Sequence, residues 1–199
     1  MTEILAFNRW STEGLKVEDP GLERYITLTP KIVPKNCGKY AGNRFHKSRI
    51  FIVERLINRV MVSGHKSSKH KASSGHNTGK LNSAMQSVIK AFEIIEKKTG
   101  ENPIKVFIKA IENGAPREEI LTVQYGGARY PKPVECAPQR RVDIVLKLIT
   151  QGAYQKCFNK KKKVEQALAE EILAAYELSA NSSIVKKKLE LERQADASR

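Results

Sequence analysis

The sequence predicts a mainly α protein: a single bundle of about six helices, a protruding two-stranded β-hairpin and an irregular basic N-terminal arm. Three observations predict it. Beyond residue 48, apolar residues recur at helical spacing in six windows. A strand-like run, Ile120 to Tyr125, leads into Gly126-Gly127 and then a returning run. Before residue 48 there is no stripe, only short pieces broken by Pro20, Pro30, Pro34 and several glycines. The expected division is 1–48 for the arm and 49–199 for the helical domain, with the hairpin at about 120–136.

The helices follow in order. From about Ser48, Ile50, Val53, Leu56, Ile57, Val60 and Met61 share a face, with Arg55, Asn58 and Arg59 opposite. Gly64 is the expected stop. His65 to Gly79 is a basic Ser/Gly/His loop without period. The clearest stripe comes next: Leu81, Ala84, Met85, Val88, Ala91, Phe92 and Ile95, ended by Gly100. A third helix opens with Asn102 as N-cap and Pro103 in its first turn. Val106, Phe107, Ala110 and Ile111 form its inner face, and Gly114 closes it.

The hairpin separates the third and fourth helices. Its return, Arg129 to Glu135, holds two prolines, which forbid a central strand. It is expected to stand alone with exposed edges and a basic, aromatic tip. Such a tip suits contact with nucleic acid, or it is an ordinary surface hairpin. The fourth helix starts near Gln139, turns Val142, Val145, Leu146 and Ile149 inward, and is expected to end at Gly152. The fifth spans about 163–179 around Leu168, Ile172, Ala175 and Tyr176. The sixth, about 183–195, has a weak stripe and is expected on the surface.

Charge carries the functional reading. The formal net charge is +15 over 199 residues, and Pro30 to Lys80 holds 12 Lys or Arg against one acid, Glu54. Solubility is served by roughly +2 to +8. The excess, patterned among Gly, Ser, Asn and His beside a folded core, calls for a polyanion, and a phosphate backbone fits. No apolar run is long enough to cross a membrane, and the first residues do not read as a secretion signal. Cys37, Cys136 and Cys157, odd in number and scattered, point to free thiols in a reducing cytosol.

Catalytic and metal signals are weak. His65, His70 and His76 lack zinc spacing, and His46 and Cys37 stand apart. Gly75 to Leu81 is one residue short of a phosphate loop, with Leu81 where a hydroxyl belongs. No nucleophile-and-base set is found. No cofactor, metal or small-molecule substrate is therefore expected. Glu170, Glu171 and Glu190 read as solvated helix faces. Arg140 and Arg141 open a helix, where cations oppose the macrodipole at about 0.3–1 kcal/mol each, so they read as phosphate contacts or as tolerated surface charges. The lysine runs 160–163 and 186–188 are basic too, but such runs are as often solvated faces.

Taken together, these segments resemble the small-subunit ribosomal protein seven family in its archaeal and eukaryotic form. The matching runs include Arg9-Trp10-Ser11-Thr12, Gly38-Lys39-Tyr40-Ala41 and Arg44-Phe45-His46-Lys47. They continue through Ile52 to Leu56, Ala91 to Ile95, Thr99 to Pro103, Arg140-Arg141-Val142, Leu168 to Ile172 and Ile184 to Arg193. The resemblance implies a helical bundle with a hairpin that binds a multi-helix junction in the 3′ major domain of small-subunit ribosomal RNA. It also implies nucleation of head assembly among other head proteins, and a place beside the exit-site tRNA and the mRNA. The implied RNA-binding residues are Lys39, Arg44, Lys47 and Arg49 in the arm and Lys66, Lys69 and Lys71 in the basic loop. Arg129, Tyr130 and Lys132 in the hairpin and Arg140 and Arg141 at the helix entry complete the implied set. Lys35 and Lys80 join it on charge alone. Gln124 and Tyr125 stand where bacterial relatives carry basic residues before the Gly-Gly, which shifts the hairpin's contact to its second strand. Rival readings are a DNA-architectural protein using a basic arm and ribbon and an RNA-modifying enzyme.

Overall fold

The computed structural model describes residues 4–66, 69–70 and 74–199. Among them the helices are α1 (Pro20–Glu23), α2 (Ile52–Val60), α3 (Leu81–Thr99), α4 (Pro103–Gly114), α5 (Pro138–Cys157), α6 (Val164–Tyr176) and α7 (Ser183–Ala197). The strands are β1 (His65–Lys66) with β2 (Lys69–His70), and β3 (Glu118–Tyr125) with β4 (Ala128–Glu135). The protein is mainly α with a β-hairpin, as the apolar spacing predicts.

Helix α6 is the hub. Its Ala167, Leu168, Ala169, Ile172, Leu173 and Ala175 are all buried, and it packs against α3, α4 and α5. Alanines at these positions let neighbouring backbones close in, while leucine and isoleucine fill the space between. The predicted stripe of α3 is the buried face: Ala84, Val88, Ala91, Phe92 and Ile95. Asn102 caps α4, its side-chain oxygen accepting from the N–H of Ile104 at 3.0 Å.

Residues 4–28 depart from the irregular-arm expectation. Ala6, Phe7, Trp10, Leu22 and Ile26 are buried in the main core. Trp10 stands edge-on to Phe92 with ring centres 5.8 Å apart, and its indole N–H donates to Glu96 at 3.1 Å. These apolar residues are scattered through turns and the single turn of α1, so they show no period, yet Trp10 packs on α3 and α1 packs on α5. The basic stretch that follows is a loop tied at both ends. The N–H of Ile52 donates to the carbonyl of Thr27 at 3.0 Å, and the Thr27 hydroxyl donates to the carbonyl of Ser48 at 2.7 Å.

Helix α2 is shorter than expected. It ends at Val60 with turns to Gly64, which leads into β1 rather than closing the helix. Arg55, expected outward, is buried: its guanidinium donates to the Tyr25 carbonyl at 2.9 Å and to Asp143 at 3.0 Å. Helix α5 runs through Gly152 to Cys157. A methyl group on Gly152 would lie 2.4 Å from the Ser183 hydroxyl and 2.9 Å from the Glu171 carboxyl carbon, so this glycine permits a close approach rather than a stop. Gly114, where α4 ends as expected, also permits a close approach: a Cβ there would come within 2.4 Å of Ile184. The first turn of α7 thus seats between two glycines.

Glu171, expected to be solvated, is fully buried beneath that turn. It accepts from the Ser183 N–H at 2.7 Å and from the Ser183 hydroxyl at 2.6 Å, and Lys156 Nζ lies 2.6 Å from its other oxygen. A carboxylate beneath a helix N-terminus is favoured by the exposed N–H groups and the helix dipole. Helix α7 is half inside: Ile184, Val185 and Ala195 are buried, and its length lies along β3.

The hairpin turns on Gly126 and Gly127, with φ of 53° and 90°. Two positive φ values make a two-residue turn that matches the right-handed twist of the ribbon, whose register pairs Tyr125 with Ala128 and Glu118 with Glu135. Its root is clamped. Arg140 grips Glu119 at 2.6 Å, Arg199 grips Glu118 at 2.6 Å, and the Arg117 N–H donates to Glu192 at 3.1 Å.

Candidate nucleic-acid interface

The tied basic loop, α2 and the start of α5 enclose an open groove of about 940 Å³. Its apolar floor includes Ile50, Val62, Ala137, Ile144 and Leu146. Cations of three separate elements line it: Arg44 and Lys47 from the loop, Arg59 from α2, and Arg140 and Lys147 from α5. The acid in its wall, Asp143, is engaged by both Lys47 and Arg55. Arg44, Arg59 and Lys147 have no ion pair among the described residues, so the groove presents uncompensated positive charge to solvent.

This geometry brings together three of the residues singled out by sequence, Arg44, Lys47 and Arg140. Lys35, Lys39 and Arg49 are exposed along the same tied loop and have no ion pair among the described residues. Lys80 is exposed at the start of α3. Lys66 and Lys69 are paired in the backbone register of the β1–β2 ladder. Lys71 lies outside the described residues. Arg129, Tyr130 and Lys132 are exposed on β4. By the period of a strand, Tyr130 and Lys132 share one face and Arg129 takes the other.

Arg141 corrects the reading of the helix-entry pair. It is only 9% exposed, and its guanidinium donates to the Pro116 carbonyl at 3.1 Å and to Asp19 at 2.8 Å. Burial by itself would raise the Asp19 carboxyl, but the Gly21 N–H, the Arg141 hydrogen bond and the charges of Arg141 and Arg117 hold it below the ordinary range. Arg141 is thus used inside the fold, fastening the N-terminal segment to α5. Arg140 is exposed at the groove, with one edge committed to Glu119.

Sequence reasoning missed Arg59, Lys147 and Phe45 as groove residues. The first two sit on polar helix faces, where a cation looks like any solvated charge. Phe45 is different: a bulky residue at φ 61°, well exposed, with the Arg44 guanidinium 5.1 Å from its ring centre. An exposed aromatic between two cations was the available signal.

Cys136 is poorly suited to act as a thiol nucleophile. Burial first, and then the adjacent Glu119 charge, push the Cys136 thiol up to about 11. Among the described residues no cluster of His, Cys, Asp or Glu could hold a metal ion, and no helix is long and apolar enough to cross a membrane.

Comparison with known proteins identifies the family. The family model described as Ribosomal protein S7p/S5e matches residues 22–199. The Small ribosomal subunit protein uS7 of Nanoarchaeum equitans is 51% identical over 193 residues, which is 97% of this chain and 98% of that protein. Its counterpart in Archaeoglobus fulgidus is 46% identical over 197 residues, covering 99% of this chain and 96% of that protein. The counterpart in Methanothermobacter thermautotrophicus is 44% identical over 189 residues, 95% of this chain and 96% of that protein. The family match takes in the tied loop, the groove and the hairpin, and the relatives extend through the Trp10 segment: the chain belongs to the Ribosomal protein S7p/S5e family.

Proposed function

We propose that this protein is a structural, non-enzymatic constituent of the small ribosomal subunit in the cytoplasm, and that it holds ribosomal RNA along the tied loop and groove. The observation that carries the RNA contact is the division among its cations. Those that fasten the fold are matched with acids: Arg55 with Asp143, Arg141 with Asp19, Lys156 with Glu171. On the loop and groove, Lys35, Lys39, Arg44, Arg49, Arg59 and Lys147 have no ion pair among the described residues. A self-repelling face is held in place by a rigid core, which suits a phosphate backbone. Family membership supplies the ribosome.

Within the subunit the RNA partner is a multi-helix junction of the 3′ major domain, whose capture nucleates the head together with neighbouring head proteins. The hairpin reaches toward the exit-site tRNA and the mRNA. Its supports are the family resemblance and a ribbon rooted by ion pairs with an exposed tip. Footprinting of small-subunit RNA by the full chain tests the reading. Protection should fall in that junction, and affinity should drop roughly 10³–10⁵-fold between 50 and 200 mM salt if about 6–10 phosphates are contacted. Equal affinity for plain duplex DNA would favour the DNA-architectural alternative instead.

A further inference from the structure

We infer that the groove receives an unpaired nucleotide whose base stacks on Phe45 and whose edge is read by Gln139, so that the RNA is recognised there by a base and not only by its backbone. This rests on the RNA-binding reading above.

Four observations converge. Phe45 is 58% exposed although it is a large apolar residue at the rim of a basic groove. Its backbone is left-handed, φ 61°, a conformation that is strained for a bulky residue and persists only when the surroundings enforce it. Arg44 already covers the ring at 5.1 Å, forming a ready platform of guanidinium and aromatic ring. Gln139 lines the same groove and is 8% exposed, and its side-chain oxygen is buried without a hydrogen-bond partner among the described residues. A buried carboxamide oxygen left unmatched is destabilising, and an N–H on a base edge would satisfy it.

The remaining parts suit the rest of a nucleotide. Ile144 on the floor gives an apolar surface for the base, while Arg59 and Lys147 are free to neutralise its phosphates. A duplex would not use these features. Its bases are stacked on one another and offer no face to a phenyl ring, and phosphates need neither the ring nor a buried acceptor. A bulged or junction nucleotide offers all three: a free face, a free edge and a flanking phosphate.

The test measures affinity of the full-length protein for a small-subunit RNA junction fragment. Each unpaired nucleotide is made abasic in turn, which removes the base and keeps the phosphate. Phe45→Leu and Gln139→Met are compared with the native chain, with folding checked by denaturant midpoint. Phe45→Leu should weaken binding to the intact RNA roughly 5- to 150-fold, the equivalent of about 1–3 kcal/mol for a stacked base, with an unchanged salt slope. At one nucleotide, removal of the base should cost the native protein a similar factor and cost Phe45→Leu nothing further; Gln139→Met should be non-additive with the same nucleotide. Phe45→Leu within twofold of native, beside an Arg59→Ala variant that binds weakly with a shallower salt slope, would overturn base recognition and leave backbone binding intact. Losses that add at every nucleotide would overturn it too. Failure of the native protein to bind the junction at all would sink the RNA reading itself, and this inference with it.

Discussion

Single side chains decide how this fold is fastened. Asp19 is the clearest case, since it caps α1 through the Gly21 N–H at 2.9 Å and holds Arg141 at 2.8 Å. Its carboxyl is held below the ordinary value in the folded state, so it stabilises the protein above its unfolded pKa, near 3.8. That stability is lost as the pH falls through the lower folded value. Asp19→Asn keeps a capping oxygen and removes the charge. The variant should be less stable than native at pH 7, and the gap should close below about pH 4 when both are unfolded by urea across a pH series. Phe92 is fully buried between Trp10 and Phe107. Phe92→Ala should cost about 3–5 kcal/mol in denaturant midpoint, and a shift under about 1 kcal/mol would mean that the site collapses freely. Both residues depend on partners far along the chain. Phe92 was legible because its stripe is local, whereas Asp19 and Arg141 were not, because each looks like a surface charge until the other is beside it.

At the scale of elements, periodicity located the helices and misread two of their ends. Gly152 resembles a helix stop, but a glycine that admits neighbouring side chains has the same signature, and Gly64 lies past the end of α2 at Val60. What distinguishes Gly152 from a stop is a contact with α7, which no window around Gly152 contains. Gly152→Ala makes the difference measurable. In an open helix this change gains about 1 kcal/mol; here the new methyl meets Ser183 at 2.4 Å, and forced packing costs typically 1–3 kcal/mol. The variant should therefore be less stable by thermal melting, and a raised Tm would overturn the close-approach account. The hairpin was read well, from its Gly-Gly to its proline-bearing return, but its root was not, since the clamps at Glu118, Glu119 and Arg117 come from α5, α7 and the C-terminal residue. Replacing residues 121–132 with a short Gly/Ser turn spares those clamps. Folding and junction-RNA affinity should stay near native, while reconstituted subunits should lose exit-site tRNA retention or reading-frame maintenance. Loss of junction binding would refute that division of labour.

Across the whole molecule, the surface charge legible in sequence becomes a site only through folding. The loop cations were foreseen as a set. The groove was not, because Arg44, Arg59 and Lys147 come from three elements and meet only when α2 and α5 lie side by side. The same closure redraws the expected order along the chain. With Trp10 and Leu22 in the core, trypsin should spare the first 28 residues of the free protein and cut first in the tied loop, at Lys35, Lys39 or Arg44. Junction RNA should slow those cuts, as read by mass spectrometry of the early fragments. First cleavage at Arg9 or Lys16 would show that the N-terminal segment is not docked.

That docking also has a timetable. Trp10 reaches Glu96 across 86 residues, and Asp19 reaches Arg141 across 122. At synthesis rates of about 5–20 residues per second, the first residues wait roughly 4–24 s for the surfaces that will hold them. Contacts of such separation form late and slowly. For the later part of that interval the cations between Lys31 and Arg59 have been made and have no core behind them. The nascent chain is a polycation before it is a globule, so whatever polyanion it meets first competes with its own folding.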